Sequence, residues 1–287
     1  MSGAGGSRQR FLARRSYIEL LARERARAVL DAGTFRELLG PFDGLKSPWL
    51  PLQGVVAQAD DGVVIARGLI DGKAAVVAAV EGRYQGGSIG EVGGSKIAGA
   101  LELSLRDCER GATVRAVLLL ETGGVRLQEA NLGLAVIAEI QAAIIALRRH
   151  VPVVAVVAGI VGCYGGMSLA AALCSTLIMT RQARLGMNGP EVIEQEAGIA
   201  ELDASDRALI WSLMGGAQRY ATGLADALLE DDVDEIAAEV RRAFANPSAP
   251  ARSEQLQHFA GRLARIDVAQ PPTPRALRDL WRREDGA

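Results

Sequence analysis

The chain has 287 residues, 49% of them hydrophobic and 23% charged, which suffices for one large α/β domain with a sizeable core. Its formal net charge of -2, with acids and bases interspersed, leaves no basic footprint for a phosphate backbone, so nucleic acid is not an expected partner. Cys108, Cys163 and Cys174 lack metal-ligand spacing and the density of a disulfide scaffold, and neither a signal-peptide core nor the ~20 apolar residues of a spanning helix is present; the expectation is a cytoplasmic protein without metal, disulfide or membrane.

Residues 16–39, rich in Arg, Glu, Ala and Leu at helical spacing, predict one or two amphipathic helices that Gly40-Pro41 stops. Pro48, Trp49 and Pro51 make 45–53 an extended stretch. Two β-prone runs, 63–69 and 74–80, flank Asp71-Gly72, a strong hairpin turn. After the glycine-rich residues 85–90, Ile97, Leu101 and Leu105 mark one face of a helix. Residues 116–121 read as a buried strand and 126–149 as a long helix. Residues 151–161 are apolar without alternation, the pattern of a strand covered on both faces. Further apolar pieces follow at 176–180 and near Leu185, so the order strand, glycine turn, helix repeats, as in βαβ units with right-handed crossovers. Gly189-Pro190 opens an acidic stretch that leads into helical regions ending near Phe244. Residues 246–250 read as a linker and 254–266 as a helix, and Pro271-Pro272 leads to an Arg-rich tail with Trp281.

Two glycine pairs carry the chemistry. Gly123-Gly124 in ETGGVRLQEA and Gly165-Gly166 in GCYGGMSLAA each lie between a strand-like and a helix-like run. A glycine pair there lets the backbone turn sharply and approach a ligand, and the helix that follows adds partial positive charge at its first N–H groups. Either turn alone is ordinary α/β punctuation; two facing turns would make an oxyanion hole, which holds the negative oxygen of an enolate or tetrahedral intermediate.

Three glycine segments and the chain between them resemble a known family. GGSIGEVGGSKIAGALE, ETGGVRLQEA, GCYGGMSLAAALCSTLIMT and ARLGMNGPEVIEQ follow one another as in the carboxyltransferase β subunit of bacterial acetyl-CoA carboxylase, of the crotonase superfamily, over residues 54–232. That subunit's four-cysteine zinc ribbon has no counterpart here, because the first cysteine is Cys108 and an Arg/Glu/Leu-rich helix stands in its place. The whole chain, including AGTFRELLGPFDGLKSPWLPLQG and DGVVIARG, is closer to the β subunits of biotin-independent malonate decarboxylases and is identified as a member of that group.

The resemblance implies an α/β, crotonase-like ββα superhelix with flanking helices. It divides the chain into a helical extension at 1–53, a carboxyltransferase domain at 54–245, and a linker with a helical tail at 246–287. It implies four components: an α subunit charges an acyl-carrier (δ) subunit with malonate, and a β/γ pair releases CO2. This chain would be the β half, binding no cofactor of its own. Its substrate would be a malonyl thioester on the carrier's 2′-(5″-phosphoribosyl)-3′-dephospho-CoA group. Gly123, Gly124, Gly165 and Gly166 would then form the hole. Glu191, at the Pro-Glu position where enoyl-CoA hydratases carry a catalytic glutamate, is either a general acid raised by burial or a carboxylate paired with a helix dipole. Tyr164 and Ser168 are further candidates, and Gly86, Gly87, Ser88 and Gly90 would bind the thioester or its arm unless they form only a tight turn. Arg126 and Glu129 read as a local ion pair, His150 as a helix cap, and Cys163 as a packed residue. Trp49 and Trp281 suit either a γ interface or the core. Two competing readings are a biotin-dependent carboxyltransferase β subunit without its ribbon and a noncatalytic scaffold for the carrier.

Overall fold

The computed structural model describes residues 14–56, 61–129, 131–246 and 250–281. Seven strands form a single sheet whose spatial order follows the chain. They are β1 (Arg36–Leu39), β2 (Val63–Ile70), β3 (Lys73–Val80), β4 (Arg115–Leu120), β5 (Val153–Val157), β6 (Thr176–Thr180) and β7 (Ala227–Leu229). The first three are antiparallel neighbours, and every pairing from β3 onward is parallel. The β2–β3 hairpin turns on Asp71 and Gly72, both at positive φ (47° and 71°), the type that two-residue hairpins with Asp-Gly adopt.

Helices cover both faces. On one side pack α2 (Glu91–Glu109), α3 (Asn131–Leu147) and α4 (Gly166–Leu173), burying Ile97, Leu101, Ile140 and Met167 against Leu118, Leu120 and Val153. On the other lie α1 (Ala22–Val29) and α8 (Val233–Ala245), whose Ala26, Val29, Ile236 and Val240 meet Val117, Leu119 and Val154. Alternate residues of one strand thus enter opposite cores, which is why β4 and β5 are apolar throughout. Between them run α5 (Pro190–Ala197), α6 (Arg207–Met214) and α7 (Gly216–Ala221); α9 (Leu256–Leu263) and α10 (Pro274–Leu280) follow.

Past the main strands the chain pairs a second time. Single parallel bridges join Ile89 to Val125, Thr122 to Cys163, and Cys163 to Leu185. Each repeat therefore supplies a long strand, a short second-layer segment and a helix, the ββα spiral that the family resemblance implies rather than the simple βαβ units read from the apolar runs.

Several expectations need correction. Residues 16–39 are not all helical: only α1 is, and the Arg-Glu-Leu-Leu piece becomes edge strand β1 because it pairs with Arg67, Ala66 and Ile65. The helix expected at 126–149 starts with a separate 3-10 turn at Leu127–Glu129 before α3. The piece near Leu185 contributes two single bridges, Leu185 to Cys163 and Arg184 to Gly215, and the three-residue β7 was not anticipated. Trp281 is 9% exposed and donates its indole N–H to the Arg262 carbonyl at 3.1 Å, so it is internal packing, whereas Trp49 is exposed. The basic start through residue 13, Pro247 to Ala249 of the linker, and the last six residues lie outside the described residues. Among the described residues no helix is long and apolar enough to cross a membrane.

Candidate active site

β4 and β5 are parallel neighbours, so the turns that follow them emerge at the same edge of the sheet. The structure brings the two glycine pairs into contact. A β-carbon on Gly124 would lie 3.1 Å from the Tyr164 carbonyl oxygen, and one on Gly165 would lie 3.4 Å from the Gly124 Cα and 3.9 Å from the Val125 nitrogen. Gly124 and Gly165 have φ of +105° and +60°, a region that side chains disfavour.

Backbone accounting then separates the four glycines. The Gly123 N–H donates to the Gly86 carbonyl at 2.8 Å, and the Gly165 N–H to the Met187 carbonyl at 2.8 Å. The Gly124 N–H donates to the Thr122 hydroxyl at 3.0 Å. These three donors hold the turns together and are not left for a ligand. Gly166, the first residue of α4, keeps a donor with no acceptor among the described residues, and so does Val125. Val125 was not singled out in the sequence because the state of its N–H depends on pairing. Ile89 donates to the Gly124 carbonyl and accepts from the Arg126 N–H, both at 2.8 Å, which turns the intervening Val125 N–H away from Ile89.

Three donors of the Gly86–Gly90 segment are likewise spent on the protein itself. Gly87, Ser88 and Ile89 donate to Tyr84, Gln85 and Gly124 carbonyls at 2.9, 3.2 and 2.8 Å. A β-carbon on Gly87 would fall 1.9 Å from the Glu121 carbonyl oxygen, so this glycine is where the third turn presses on the first. Gly90 caps α2, and the next N–H, of Glu91, donates to Glu129 at 2.6 Å. The expected Arg126–Glu129 ion pair is present at 3.0 Å, with both side chains 4% exposed, and Arg126 also donates to the Ser88 carbonyl and hydroxyl at 3.0 and 3.2 Å. The pair is a buried buttress, more than a surface contact.

The side-chain candidates are arranged differently from a ready acid–base set. Tyr164 is 5% exposed and its ring packs with Leu202, Ile210 and Met214; its hydroxyl has no hydrogen-bond partner among the described residues. Burial raises the phenol above its ordinary range, while Arg184, its guanidinium 5.9 Å from the ring centre, pulls the other way. Ser168 donates its hydroxyl to the Gly165 carbonyl at 2.7 Å. Glu191 sits exposed in the first turn of α5, so the burial that an acid role requires is not provided by this chain. Cys163 is fully buried and burial drives its thiol upward, as suits a packed residue. Close in the chain to the turns three apolar side chains are exposed, Leu127, Leu169 and Met187 at 80%, 47% and 57%, alongside the exposed Gln128 and Asn188.

Comparison with known proteins places this geometry. Residues 15–259 match the carboxyl transferase domain family. The malonyl-S-ACP:biotin-protein carboxyltransferase MADC of Malonomonas rubra is 43% identical over 229 residues, which cover 76% of this chain and 72% of that protein. A subunit in the crystal structure of a Pseudomonas malonate decarboxylase hetero-tetramer in complex with malonate is 62% identical, with a TM-score of 0.90 over 95% of this chain and 99% of that one. A subunit of the Pseudomonas malonate decarboxylase MdcD-MdcE hetero-dimer is 58% identical, with a TM-score of 0.74 over 87% and 97%. The seven-stranded sheet and its second-layer bridges are the crotonase-like fold of these structures.

Proposed function

The chain belongs to the carboxyl transferase domain family, and from that premise we propose that it is the β subunit of a biotin-independent malonate decarboxylase. With a γ subunit it converts a malonyl thioester on an acyl-carrier protein to the acetyl thioester and CO2. The observation that carries this reading is the likeness to a malonate decarboxylase subunit along nearly the whole of both chains, joined to two unused N–H groups at touching turns.

The chemistry suits a site made of backbone. The bond between the carboxylate carbon and the α-carbon breaks, CO2 leaves, and the electron pair delocalises onto the thioester oxygen. In this proposal the N–H groups of Val125 and Gly166 receive that oxygen, with Gly123, Gly124 and Gly165 holding them in place. One such donor is worth about 2.7–4 kcal/mol of transition-state stabilisation. A proton then goes to the α-carbon. Glu191 is the proposed donor, covered by the γ subunit when the pair assembles; the exposed apolar rim at Leu127, Leu169 and Met187 is the surface on which that subunit would close. Tyr164 supports the second turn, and Gly86, Gly87, Ser88 and Gly90 support the first, beside the path proposed for the arm. That arm is the phosphoribosyl-dephospho-CoA group of the δ carrier, charged by the α subunit.

A biotin-dependent reading is favoured by one observation, the name of the Malonomonas relative, in which a biotin protein takes the carboxyl group. The lower identity and coverage of that match argue against it. The test is to co-purify the chain with its partners, identify them by mass, and measure CO2 release from a malonyl-charged carrier. Release without biotin and unaffected by avidin is the expected result. Activity abolished by avidin selects the biotin-dependent reading, and no release without biotin overturns the proposal.

A further inference from the structure

β4 runs into a buried carboxylate that the proposed reaction does not use. Glu121 is 6% exposed and lies just before the first glycine turn. Two glycines make room for it: a β-carbon on Gly82 would stand 2.4 Å from its Cγ, and one on Gly159 would stand 1.9 Å from its Cδ. One carboxylate oxygen accepts the Val161 N–H at 3.2 Å. The other pairs with the Arg25 guanidinium of α1, and the two side chains are 7% and 8% exposed.

Arg25 is itself held from behind. It donates to the Tyr17 and Ile18 carbonyls at 3.2 and 2.7 Å and lies 5.4 Å from the centre of the Tyr17 ring. The N–H groups of Tyr17 and Ile18 are in turn accepted by one Asp231 oxygen at 2.8 and 3.0 Å. The path runs from Asp231 through the N-terminal segment to Arg25, Glu121 and Val161.

Stability alone is a weak reason for such an arrangement, because a buried ion pair often contributes no more than well-packed apolar residues of the same volume. Its position is more informative. Glu121 is continuous with the first turn, and Val161 begins the segment that enters the second. The Thr122 N–H extends the same contact by donating to the Gly162 carbonyl at 2.8 Å. We infer that Glu121 is a positioning residue that fixes the distance between the two glycine turns, and hence between the Val125 and Gly166 donors, with Arg25 as its counter-ion. Neither residue touches substrate. The inference rests on the proposed decarboxylase reading, and it makes the N-terminal segment a working part of the site.

The test uses the assembled complex carrying Glu121→Gln, which keeps the shape of the side chain and an acceptor for Val161 but removes the charge facing Arg25. A misplacement of roughly 1 Å at a reacting centre lowers turnover about a hundredfold, so kcat is expected to fall on that scale with KM within about threefold of wild type. Arg25→Met should reproduce the loss and Arg25→Lys should recover much of it. Hydrogen exchange of residues 161–166 should quicken in Glu121→Gln. A kcat near wild type, or a loss that vanishes after correction for the folded and assembled fraction, overturns the inference. Where Glu121→Gln alone does not fold, the Glu121→Gln/Arg25→Met pair, which leaves no lone buried charge, is read by the same criteria. If the wild-type complex releases no CO2, the functional reading fails separately, and exchange decides this inference: faster exchange at 161–166 supports it, unchanged exchange overturns it.

Discussion

Gly124 and Gly165 face one another with no side chain between them, a β-carbon on the second falling 3.4 Å from the Cα of the first. Parallel pairing of β4 and β5 produces this contact, and it leaves the Val125 and Gly166 N–H groups as the unused donors of the two turns. Gly166→Pro removes one donor at a helix position that suits proline, but a β-carbon there would sit 2.6 Å from the Ile137 Cγ2. Made with Ile137→Ala, it should lower kcat roughly a hundred- to thousandfold relative to Ile137→Ala alone, measured as CO2 release by the assembled complex. Equal rates would remove Gly166 from the hole.

Glu191→Gln separates the two roles open to that carboxylate. An acid catalyst contributes about a hundredfold or more, so turnover should fall on that scale with assembly unchanged. Normal turnover would leave Glu191 as a partner of the α5 dipole, which its place in the first turn also permits.

Gly86 and Gly87 have nearly the same backbone angle, φ +63° and +66°, and should respond very differently to alanine. No atom of the described residues lies within 4 Å of a β-carbon on Gly86, so Gly86→Ala should lower stability by about 1–2 kcal/mol, the penalty of the left-handed conformation. Gly87→Ala would drive its β-carbon into the Glu121 carbonyl oxygen at 1.9 Å. It should yield little folded protein, as circular dichroism and thermal melts will report.

Lys96 is a buried charge whose partners are all internal. Its ammonium donates to Asp61 at 2.9 and 3.0 Å and to the Gly40 and Val63 carbonyls at 2.9 and 2.6 Å. Lys96→Met leaves Asp61 buried without that cation and should destabilise by about 3–5 kcal/mol. Denaturant unfolding of Lys96→Met beside Lys96→Met/Asp61→Asn should show part of that loss restored in the double variant.

The thiols give a labelling experiment with a definite sign. Burial pushes Cys174 up to about 12 and Cys163 higher still, and thiolate is the reactive form, so at pH 8 only about one Cys174 in ten thousand is ionised. Native protein should take up one equivalent of an alkylating reagent, at the half-buried Cys108, and three equivalents after denaturation. Rapid labelling of Cys163 in native protein would contradict its packing beside the second turn.

Where local signals and tertiary structure agree, the sequence was readable. The Asp71-Gly72 hairpin, the apolar runs of β4, β5 and β6, and the α2 stripe of Ile97 and Leu101 stand where periodicity and turn chemistry put them. Arg36–Leu39 misled because Arg, Glu and Leu favour helix, and only its antiparallel neighbour makes it a strand. β7 is three residues long and leaves no periodic trace. Within the site, the meeting of the two glycine pairs was legible, but which N–H groups remain unused was not. That depends on acceptors such as the Gly86 and Met187 carbonyls, far away in the chain. Glu121 stood only as the last residue of a buried strand run, and the glycines that enclose it are nowhere near it in sequence.

The bridges Ile89–Val125, Thr122–Cys163 and Cys163–Leu185 imply a particular tolerance to change. Main chain defines them, so apolar exchanges of like volume at these positions should leave the turns in form; Thr122, whose hydroxyl accepts the Gly124 N–H, and the positions where a single methyl group has no space should not tolerate change. In the proposed site, discrimination among acyl groups falls to the surface that closes over Leu127, Leu169 and Met187. Exchanging that surface, with this chain untouched, should then redirect the same proposed backbone donors toward a different thioester.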